Sequence, residues 1–353
     1  MKIFKMIYLL IILIGSTLVI YMSCSTKKTS TKQNKELGYG FKKDSSGIWF
    51  YDQLLTGVDV NTFDILDENY CKDKAQVFYF RTYRESSDYF TSKRKQIQQL
   101  VDADPGTFST IGYEYAKDKS KAWCKGTTFS VTDASSLTAL NFHFTKDKVN
   151  VYVDCQKVEA IDGSTFELLD DQYAKDARTY FYVAPTGDGK FSIESISAQY
   201  NSFVKIERQY AKDNVNVFYK GKKINQADPS SFTIIGDNYS KDKHNVFYND
   251  QILQGADPGS FQLFEENELS NGETIYAHDK NSIFANDHIN TGIDKSSFKI
   301  LNEKYSLDKA AVYYHLKKIK GADPHSFKVF PHFIGDADAK DKLHKYGEGN
   351  IVE

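Results

Sequence analysis

The chain has 353 residues, in which 45 lysines and arginines stand against 47 aspartates and glutamates. Residues 1–35 hold six lysines and no acidic residue, so residues 36–353 hold 39 basic against 47 acidic residues, a net charge of −8. A nucleic-acid partner requires a basic face, so this balance predicts no nucleic-acid binding. No Cys-x-x-Cys spacing occurs, which excludes the common zinc motifs.

The N-terminal residues predict an export signal. Two lysines precede an uncharged apolar run from Met6 to Met22, and Cys24 follows shortly after it. This order is typical of a secretory signal peptide, here 1–23. The segment resembles a lipobox, which predicts a lipid on Cys24 and an exported, membrane-anchored lipoprotein of the bacterial cell envelope. The alternative is an uncleaved N-terminal helix, because 17 apolar residues are the lower limit for spanning a bilayer.

One phrase recurs along the rest of the chain with an aspartate at its fixed position. Successive anchor aspartates are 29 residues apart in five of nine intervals, and a fixed period of this length indicates tandem repeats. We predict a flexible tether over 24–38, a repeat domain over 39–346 and a tail over 347–353. The anchors are Asp44, Asp73, Asp118, Asp147, Asp176, Asp213, Asp242, Asp279, Asp308 and Asp341.

Each unit is predicted to contain three short strands. Around Asp242 these are "FTIIGDNYSK", "VFY" and "QIL", rich in side chains that suit a half-buried pleated surface. The predicted fold is all-β, a tandem, solenoid-like array of about ten three-stranded β-meanders of about 29 residues each. The alternative is a closed β-propeller, whose blades normally need four strands and about 40 residues.

The anchor aspartate is interpreted as a turn residue. Its carboxylate can accept a hydrogen bond from the backbone N–H two residues on. A calcium or catalytic role is less favoured, because each loop offers one carboxylate, usually between lysines that would oppose a cation. We therefore expect no metal site and no cofactor. The connector "ADP", as at 227–229, predicts a cap followed by one tight turn that starts at proline.

The spaced positions of the phrase resemble a known family. Tyrosine precedes "KD", "VFY" or "VYY" follows it, and "GADP" and "SF" come next, as in the DKNYY family of bacterial repeat proteins. The resemblance covers about residues 40–346. It departs at His278 and Leu307, where lysine usually precedes the anchor, and at Trp123-Cys124, which replace an aromatic pair. The family has no established activity, so the resemblance implies an architecture and no reaction.

Four of the nine intervals are longer than 29 residues, and three of the additions are 16 residues after Asp73, 8 after Asp176 and 8 after Phe261. An even addition keeps each side chain on its face of the sheet when both strands of a hairpin lengthen equally. The first addition therefore predicts a hairpin with "ESSD" at its tip, and the second a hairpin that turns at "GDG". The alternative for the first is a short helix near Lys93–Leu100.

The first added hairpin holds the candidate partner-binding residues. Tyr83, Arg84, Tyr89 and Phe90 lie outside the repeating positions, whereas most aromatic residues recur in register and are expected to build the core. Arginine next to aromatic residues is enriched at interfaces. We expect a non-enzymatic scaffold that binds a protein or another macromolecule. The alternative is a glycan- or peptidoglycan-binding module, since exposed aromatic rings stack on sugars.

A catalytic site is less favoured. The sequence contains no G-x-S-x-G, H-E-x-x-H or Walker motif, and we assign no catalytic residue. A hydrolase using an aspartate with His325, His332 or His344 in the last copy is the remaining enzyme hypothesis, against an irregular end cap. Beyond Cys24, the cysteines are Cys71, Cys124 and Cys155, for which burial and one disulfide between two of them are both open.

Overall fold

The computed structural model describes residues 35–86, 89–90, 92–207, 209–236, 238–265, 274–334 and 336–353, with only the backbone of residues 332–334. These residues divide between Phe142 and His143 into two compact units. The predicted signal peptide, Cys24 and most of the predicted tether lie outside the described residues. No helix within the described ranges is long and apolar enough to cross a membrane.

The described residues form ten four-stranded antiparallel sheets, none of them closed, in which strands neighbour one another in chain order. Sheets 1 to 3 are β1 Lys35–Gly38, β2 Phe41–Asp44, β3 Gly47–Phe50, β4 Gln53–Leu54; β5 Asp64–Ile65, β6 Tyr70–Lys72, β7 Val77–Tyr83, β8 Arg94–Gln99; and β9 Ser109–Gly112, β10 Tyr115–Lys117, β11 Ala122–Cys124, β12 Thr127–Phe129. Sheets 4 and 5 are β13 Thr138–Ala139, β14 Phe144–Lys146, β15 Val151–Val153, β16 Gln156–Val158; and β17 Glu167–Leu168, β18 Tyr173–Lys175, β19 Tyr180–Pro185, β20 Phe191–Ile196.

The later sheets repeat the same order of strands. Sheets 6 to 8 are β21 Val204–Lys205, β22 Tyr210–Lys212, β23 Val217–Tyr219, β24 Lys222–Lys223; β25 Thr233–Gly236, β26 Tyr239–Lys241, β27 Val246–Tyr248, β28 Gln251–Ile252; and β29 Gln262–Leu263, β30 Tyr276–His278, β31 Ile283–Ala285, β32 His288–Asn290. Sheets 9 and 10 are β33 Lys299–Ile300, β34 Tyr305–Leu307, β35 Val312–Tyr314, β36 Lys317–Lys318; and β37 Lys328–Ile334, β38 Ala337–Lys340, β39 Lys345–Gly347, β40 Asn350–Ile351. The first sheet thus begins before the predicted boundary at residue 39, and the last ends beyond residue 346.

The tandem all-β array is confirmed, but each sheet has four strands where the sequence predicts three. The stretch predicted as one long first strand contains a second turn. In sheet 9, Asn302 Oδ1 accepts hydrogen bonds from the N–H groups of Lys304 and Tyr305 at 2.9 and 2.7 Å, which reverses the chain. Asp67 and Asp170 make the same contacts in sheets 2 and 5.

Two of the three additions form the predicted hairpins. β7 pairs with β8 from Phe78↔Gln99 to Tyr83↔Arg94, and β19 pairs with β20 up to Pro185↔Phe191. The alternative of a helix near Lys93–Leu100 is wrong, because Arg94–Gln99 is a strand. The addition after Phe261 falls mainly on residues 266–273, which lie outside the described residues.

The core is built from aromatic rings that join neighbouring sheets. Phe261, the phenylalanine that closes one unit, lies between Tyr239 of sheet 7 and Phe284 of sheet 8, with ring centroids 5.3 and 5.2 Å apart. Such pairs add about 0.5–1.5 kcal/mol each beyond the burial of their area. The same trio recurs as Tyr70–Phe108–Trp123, Tyr173–Phe203–Phe218, Tyr210–Phe232–Phe247 and Tyr305–Phe327–Tyr346.

The connectors between sheets are tight turns capped by a polar side chain. Asp228 Oδ1 accepts a hydrogen bond from the N–H of Ser230 at 3.1 Å, directly after the "ADP" phrase. In some connectors of the same length this turn takes the form of a short 3-10 helix. The described 3-10 helices are Ala134–Ser136, Tyr200–Ser202 and Lys295–Ser297.

Candidate binding surface

Each buried anchor aspartate holds the turn that follows it. Asp242 Oδ1 accepts hydrogen bonds from the backbone N–H groups of His244 and Asn245, both at 2.7 Å. This is the contact that the turn interpretation requires, with a second donor added. The same pair of contacts occurs at Asp73, Asp118, Asp147, Asp176, Asp213, Asp279, Asp308 and Asp341. At Asp44 the donor two residues on is Ser46 N.

In eight units the second carboxylate oxygen of the anchor accepts a hydrogen bond from the connector of the preceding unit, a contact that the sequence did not predict. Asp242 Oδ2 accepts a hydrogen bond from the N–H of Asp228 at 2.8 Å. The signal was present, because the two residues are 14 positions apart in six units. The same bond occurs at Asp73, Asp118, Asp176, Asp213, Asp279, Asp308 and Asp341.

The lysines on both sides of an anchor also have structural partners. Lys241 Nζ donates to the carbonyl oxygen of Pro258 at 2.9 Å, and Lys243 Nζ lies 2.9 Å from the Asp228 carboxylate. Lysines before other anchors hold connector carbonyls in the same way: Lys43, Lys72, Lys117, Lys146 and Lys212. Lysine after the anchor pairs with the connector aspartate at Lys74, Lys119, Lys280, Lys309 and Lys342.

The tyrosine of the phrase connects successive sheets. Tyr239 is fully buried, and its hydroxyl donates to the carbonyl oxygens of Ile275 and Asn286 at 3.2 and 2.5 Å. Tyr173 donates likewise to the carbonyl oxygen of Gln209 at 3.0 Å. Tyrosine, lysine and aspartate of the phrase therefore all serve the repeat. Among the described residues, no group of three or more histidine, cysteine, aspartate or glutamate side chains is placed to hold a metal ion.

The anchor contacts make stability depend on pH. Burial raises the pKa of Asp118, but hydrogen bonds from the N–H groups of Asp104, Ser120 and Lys121 outweigh it and hold the pKa below its ordinary value. The same balance lowers the pKa of Asp213, Asp308 and Asp341.

We expect the free energy of unfolding to fall as the pH drops below about 4, since the unfolded chain takes up protons at its ordinary carboxyl pKa before the folded chain does. Circular dichroism melting curves from about pH 6 to about pH 2 measure this. Asp213→Asn should show a shallower dependence than the unchanged chain, because one depressed carboxyl is removed. Melting temperatures that stay level or rise on acidification would contradict the expectation.

The base and the tip of hairpin β7–β8 differ in character. At the base, the Phe80 ring lies 4.8 Å from Phe41 and 5.6 Å from Phe50, inside the core beside sheet 1. We call residues 83–94 the hairpin tip, of which residues 87, 88 and 91 lie outside the described part. In the tip, 92% of the Phe90 side chain and 55% of Tyr89 are exposed.

The tip brings together three of the four predicted partner-binding residues. An Arg84 guanidinium nitrogen donates to the carbonyl oxygen of Tyr89 at 2.6 Å, and the guanidinium lies 5.8 Å from the Tyr89 ring centre. The rings of Tyr89 and Phe90 meet edge to face at 5.3 Å. Tyr83 instead lies under Arg81, at 4.4 Å. In the described part of the tip, Arg84, Tyr89 and Phe90 thus form a cluster of aromatic and cationic groups that is exposed to solvent.

The histidines of the last copy do not assemble around a free carboxylate in the described residues. His344 lies 3.7 Å from Asp341, but that carboxylate already accepts hydrogen bonds from three backbone N–H groups and from the Tyr346 hydroxyl. His325 is exposed on a connector turn. The side chain of His332 lies outside the described part of the chain.

A cavity that the sequence gave no reason to expect lies between sheets 8 and 9. It has a volume of about 380 Å³ and is lined by His288, His315, Asp287 and Lys317, among others. His288 Nδ1 lies 2.7 Å from Asp287 Oδ1. Burial, followed by the charge of Lys304, lowers the pKa of His315. The two imidazoles could hold a small polar group, but they share no register position that would have revealed them.

The cysteines fall into two kinds. Cys71 is free and buried, and burial raises the pKa of its thiol. Cys124 and Cys155 are both disulfide-bonded. Burial and disulfide formation, the two possibilities left open by the sequence, therefore both occur.

Comparison with known proteins detects the same phrase. The model of the DKNYY family matches residues 2–82, 83–209, 131–251 and 210–350, which together span nearly the whole chain. No curated protein and no solved structure matches the chain. The matched positions carry the buried tyrosine, the paired lysines and the anchor aspartate that join one sheet to the next, and the chain belongs to the DKNYY family.

Proposed function

We propose that the chain is a non-enzymatic, lipid-anchored scaffold of the bacterial cell envelope. It holds a macromolecular partner along its repeated sheets and docks through the hairpin tip. The observation that carries this proposal is the exposure of Phe90, at 92%, in a chain whose repeated aromatic side chains are buried. Exposed apolar groups next to arginine are typical of interaction sites.

Two further observations support the proposal. Cys124 and Cys155 are disulfide-bonded, and disulfides form and persist in oxidising compartments outside the cytosol. The anchor aspartates, which are the most regular charged groups of the chain, have both oxygens engaged by backbone N–H groups in eight units. A carboxylate held in this way is a poor general base, which favours a scaffold over an enzyme.

Removing the hairpin tip is expected to abolish docking without unfolding the chain. Deleting Arg84–Thr91 and changing Ser92→Asn and Lys93→Gly joins the paired residues Tyr83 and Arg94 by a two-residue turn of the favoured type. The base keeps Phe80 in the core, so the melting temperature should change little. Proximity labelling with the intact chain in its host should then lose the neighbours that the unchanged chain labels.

The second hairpin supplies a matched control. Replacing residues 186–190 by Asn-Gly shortens the tip of β19–β20, which carries no exposed aromatic side chain, and should leave the labelled neighbours in place. A labelling pattern that survives loss of the β7–β8 tip unchanged would rule out docking through that tip.

A glycan-binding module remains the second candidate, favoured by a different pair of rings. Tyr113 and Phe142 are 44% and 54% exposed, and their ring centroids lie 5.0 Å apart on the turns before β10 and β14. Exposed rings of this kind stack on sugars. The tip-deleted variant keeps both residues, so a change in its tyrosine fluorescence on titration with peptidoglycan fragments would favour this candidate.

A further inference from the structure

We propose that the hairpin tip docks on an anionic lipid surface, with Phe90 and Tyr89 in the interface and the surrounding basic side chains on lipid phosphates. This inference rests on the proposed function, in which the tip is the docking element, and adds the chemistry of the surface that it meets. Three observations support it: the charge of residues 81–95, the exposure of Tyr89 and Phe90, and the charged residues of edge strand β8 below the tip.

The charge of the hairpin opposes that of the rest of the exported chain. Residues 81–95 hold five basic and two acidic residues, a net charge of +3, whereas the rest of residues 36–353 holds 34 basic and 45 acidic residues, a net charge of −11. Two of the basic residues have acidic partners, since Arg94 lies 3.5 Å from Glu85 and Lys95 lies 3.2 Å from Asp52. Arg84 and the exposed Lys93 are the other two basic residues of the tip, and Asp88, its second acidic residue, lies outside the described part of the chain. A local basic surface on an acidic chain selects an anionic partner.

The aromatic side chains of the tip are exposed to solvent, where they can enter a membrane interface. Phe90 is almost completely exposed, and Tyr89 beside it has its carbonyl oxygen bonded to Arg84. Membrane-surface segments combine aromatic side chains at the depth of the headgroups with lysine and arginine on the phosphates. Because Arg84 is held by Tyr89, cation and ring are already placed side by side without a ligand.

The strands below the tip favour a lipid surface over an added peptide strand. β8 is the outer strand of sheet 2, and its first two residues are Arg94 and Lys95. Charged residues on an edge strand hinder pairing with another chain. A bilayer does not pair with strand edges, so these charges do not hinder its contact with the exposed side chains of the tip. If Cys24 carries a lipid, the 10 residues between it and Lys35 span at most about 35 Å, so sheets 1 and 2 would stay close to the bilayer.

Vesicle co-sedimentation tests the contact, using the chain from Ser25 to Glu353, which keeps all ten described sheets. We expect binding to vesicles of phosphatidylcholine mixed with phosphatidylglycerol, weaker binding to phosphatidylcholine alone, and release at high salt, since salt screens the attraction. Arg84→Glu combined with Lys93→Glu should weaken binding about tenfold or more. Phe90→Ser should weaken it as well, and Phe90→Trp should show a blue-shifted emission on vesicles of the mixed composition.

Matched variants keep the experiment specific to the tip. Lys222→Glu combined with Lys223→Glu makes the same charge change on the exposed strand β24, and Leu343→Ser removes an apolar side chain that is 70% exposed. Both should bind like the unchanged chain. No binding by the unchanged chain, or equal losses in tip and control variants, would overturn the lipid contact. If the tip deletion nevertheless removed the labelled neighbours, the proposed function would stand and the tip would meet a protein or glycan.

Discussion

Replacing Asp242 by alanine is expected to lower the free energy of unfolding by about 3–5 kcal/mol, because three backbone N–H groups lose their acceptor in a buried turn. Those groups belong to His244, Asn245 and Asp228, and only 4% of Asp242 is exposed. Amide hydrogen exchange of the peptides around residues 228–248 locates the loss, and urea denaturation followed by circular dichroism measures it.

The neighbouring residue is the control. Lys243→Ala removes an ion pair to Asp228 in which the lysine side chain is 57% exposed, and exposed ion pairs contribute little to stability. Asp242→Asn should fall between the two alanine variants, because the amide keeps one acceptor oxygen. Similar losses for Asp242→Ala and Lys243→Ala would show that the charge of the phrase matters more than its hydrogen bonds.

Replacing Gly221 by alanine is expected to cost about 3 kcal/mol. The residue has φ +74°, and a Cβ built there would lie 2.4 Å from Cβ of Tyr182 in the preceding sheet. The new methyl group therefore adds an overlap with the neighbouring sheet to the strain of a left-handed backbone. A urea midpoint measured by circular dichroism gives the loss.

A second glycine separates the two contributions. Gly187 has φ +90° with nothing within 4 Å of its Cβ position, so Gly187→Ala carries the backbone strain alone. We expect a cost of about 1 kcal/mol there. Equal losses at the two glycines would mean that the approach of Tyr182 is not a constraint on the packing of sheets 5 and 6.

The fold could be predicted where a rule repeats. The 29-residue period predicts the tandem array, and the position of Asp242 before "VFY" predicts the turn that follows the anchor. The even length of the addition after Asp73 predicts hairpin β7–β8. The second turn of each unit was missed because a single polar residue, such as Asn302, looks like the solvent face of a strand. Its role depends on the backbone N–H groups of Lys304 and Tyr305, which the side-chain pattern does not show.

The candidate site follows the same division. Tyr89 and Phe90 could be predicted from the sequence because they lie outside the repeat positions at which most other aromatic residues recur. The bond from Asp228 N to Asp242 requires knowing that consecutive units pack against each other, although its 14-residue spacing was visible. His288 and His315 stand nine and seven residues after their anchors, so no shared position marks the cavity that they line.

The bond between connector and anchor has a direction that affects how such a chain can change in length. Each unit offers one carboxylate to the unit before it and one backbone N–H to the unit after it. A duplicated stretch from one anchor to the residue before the next brings both halves of the bond with it. Duplication or loss of whole units would therefore leave every remaining connector N–H with an anchor carboxylate to accept it. The number of units can change in this way while the bond between consecutive units stays the same.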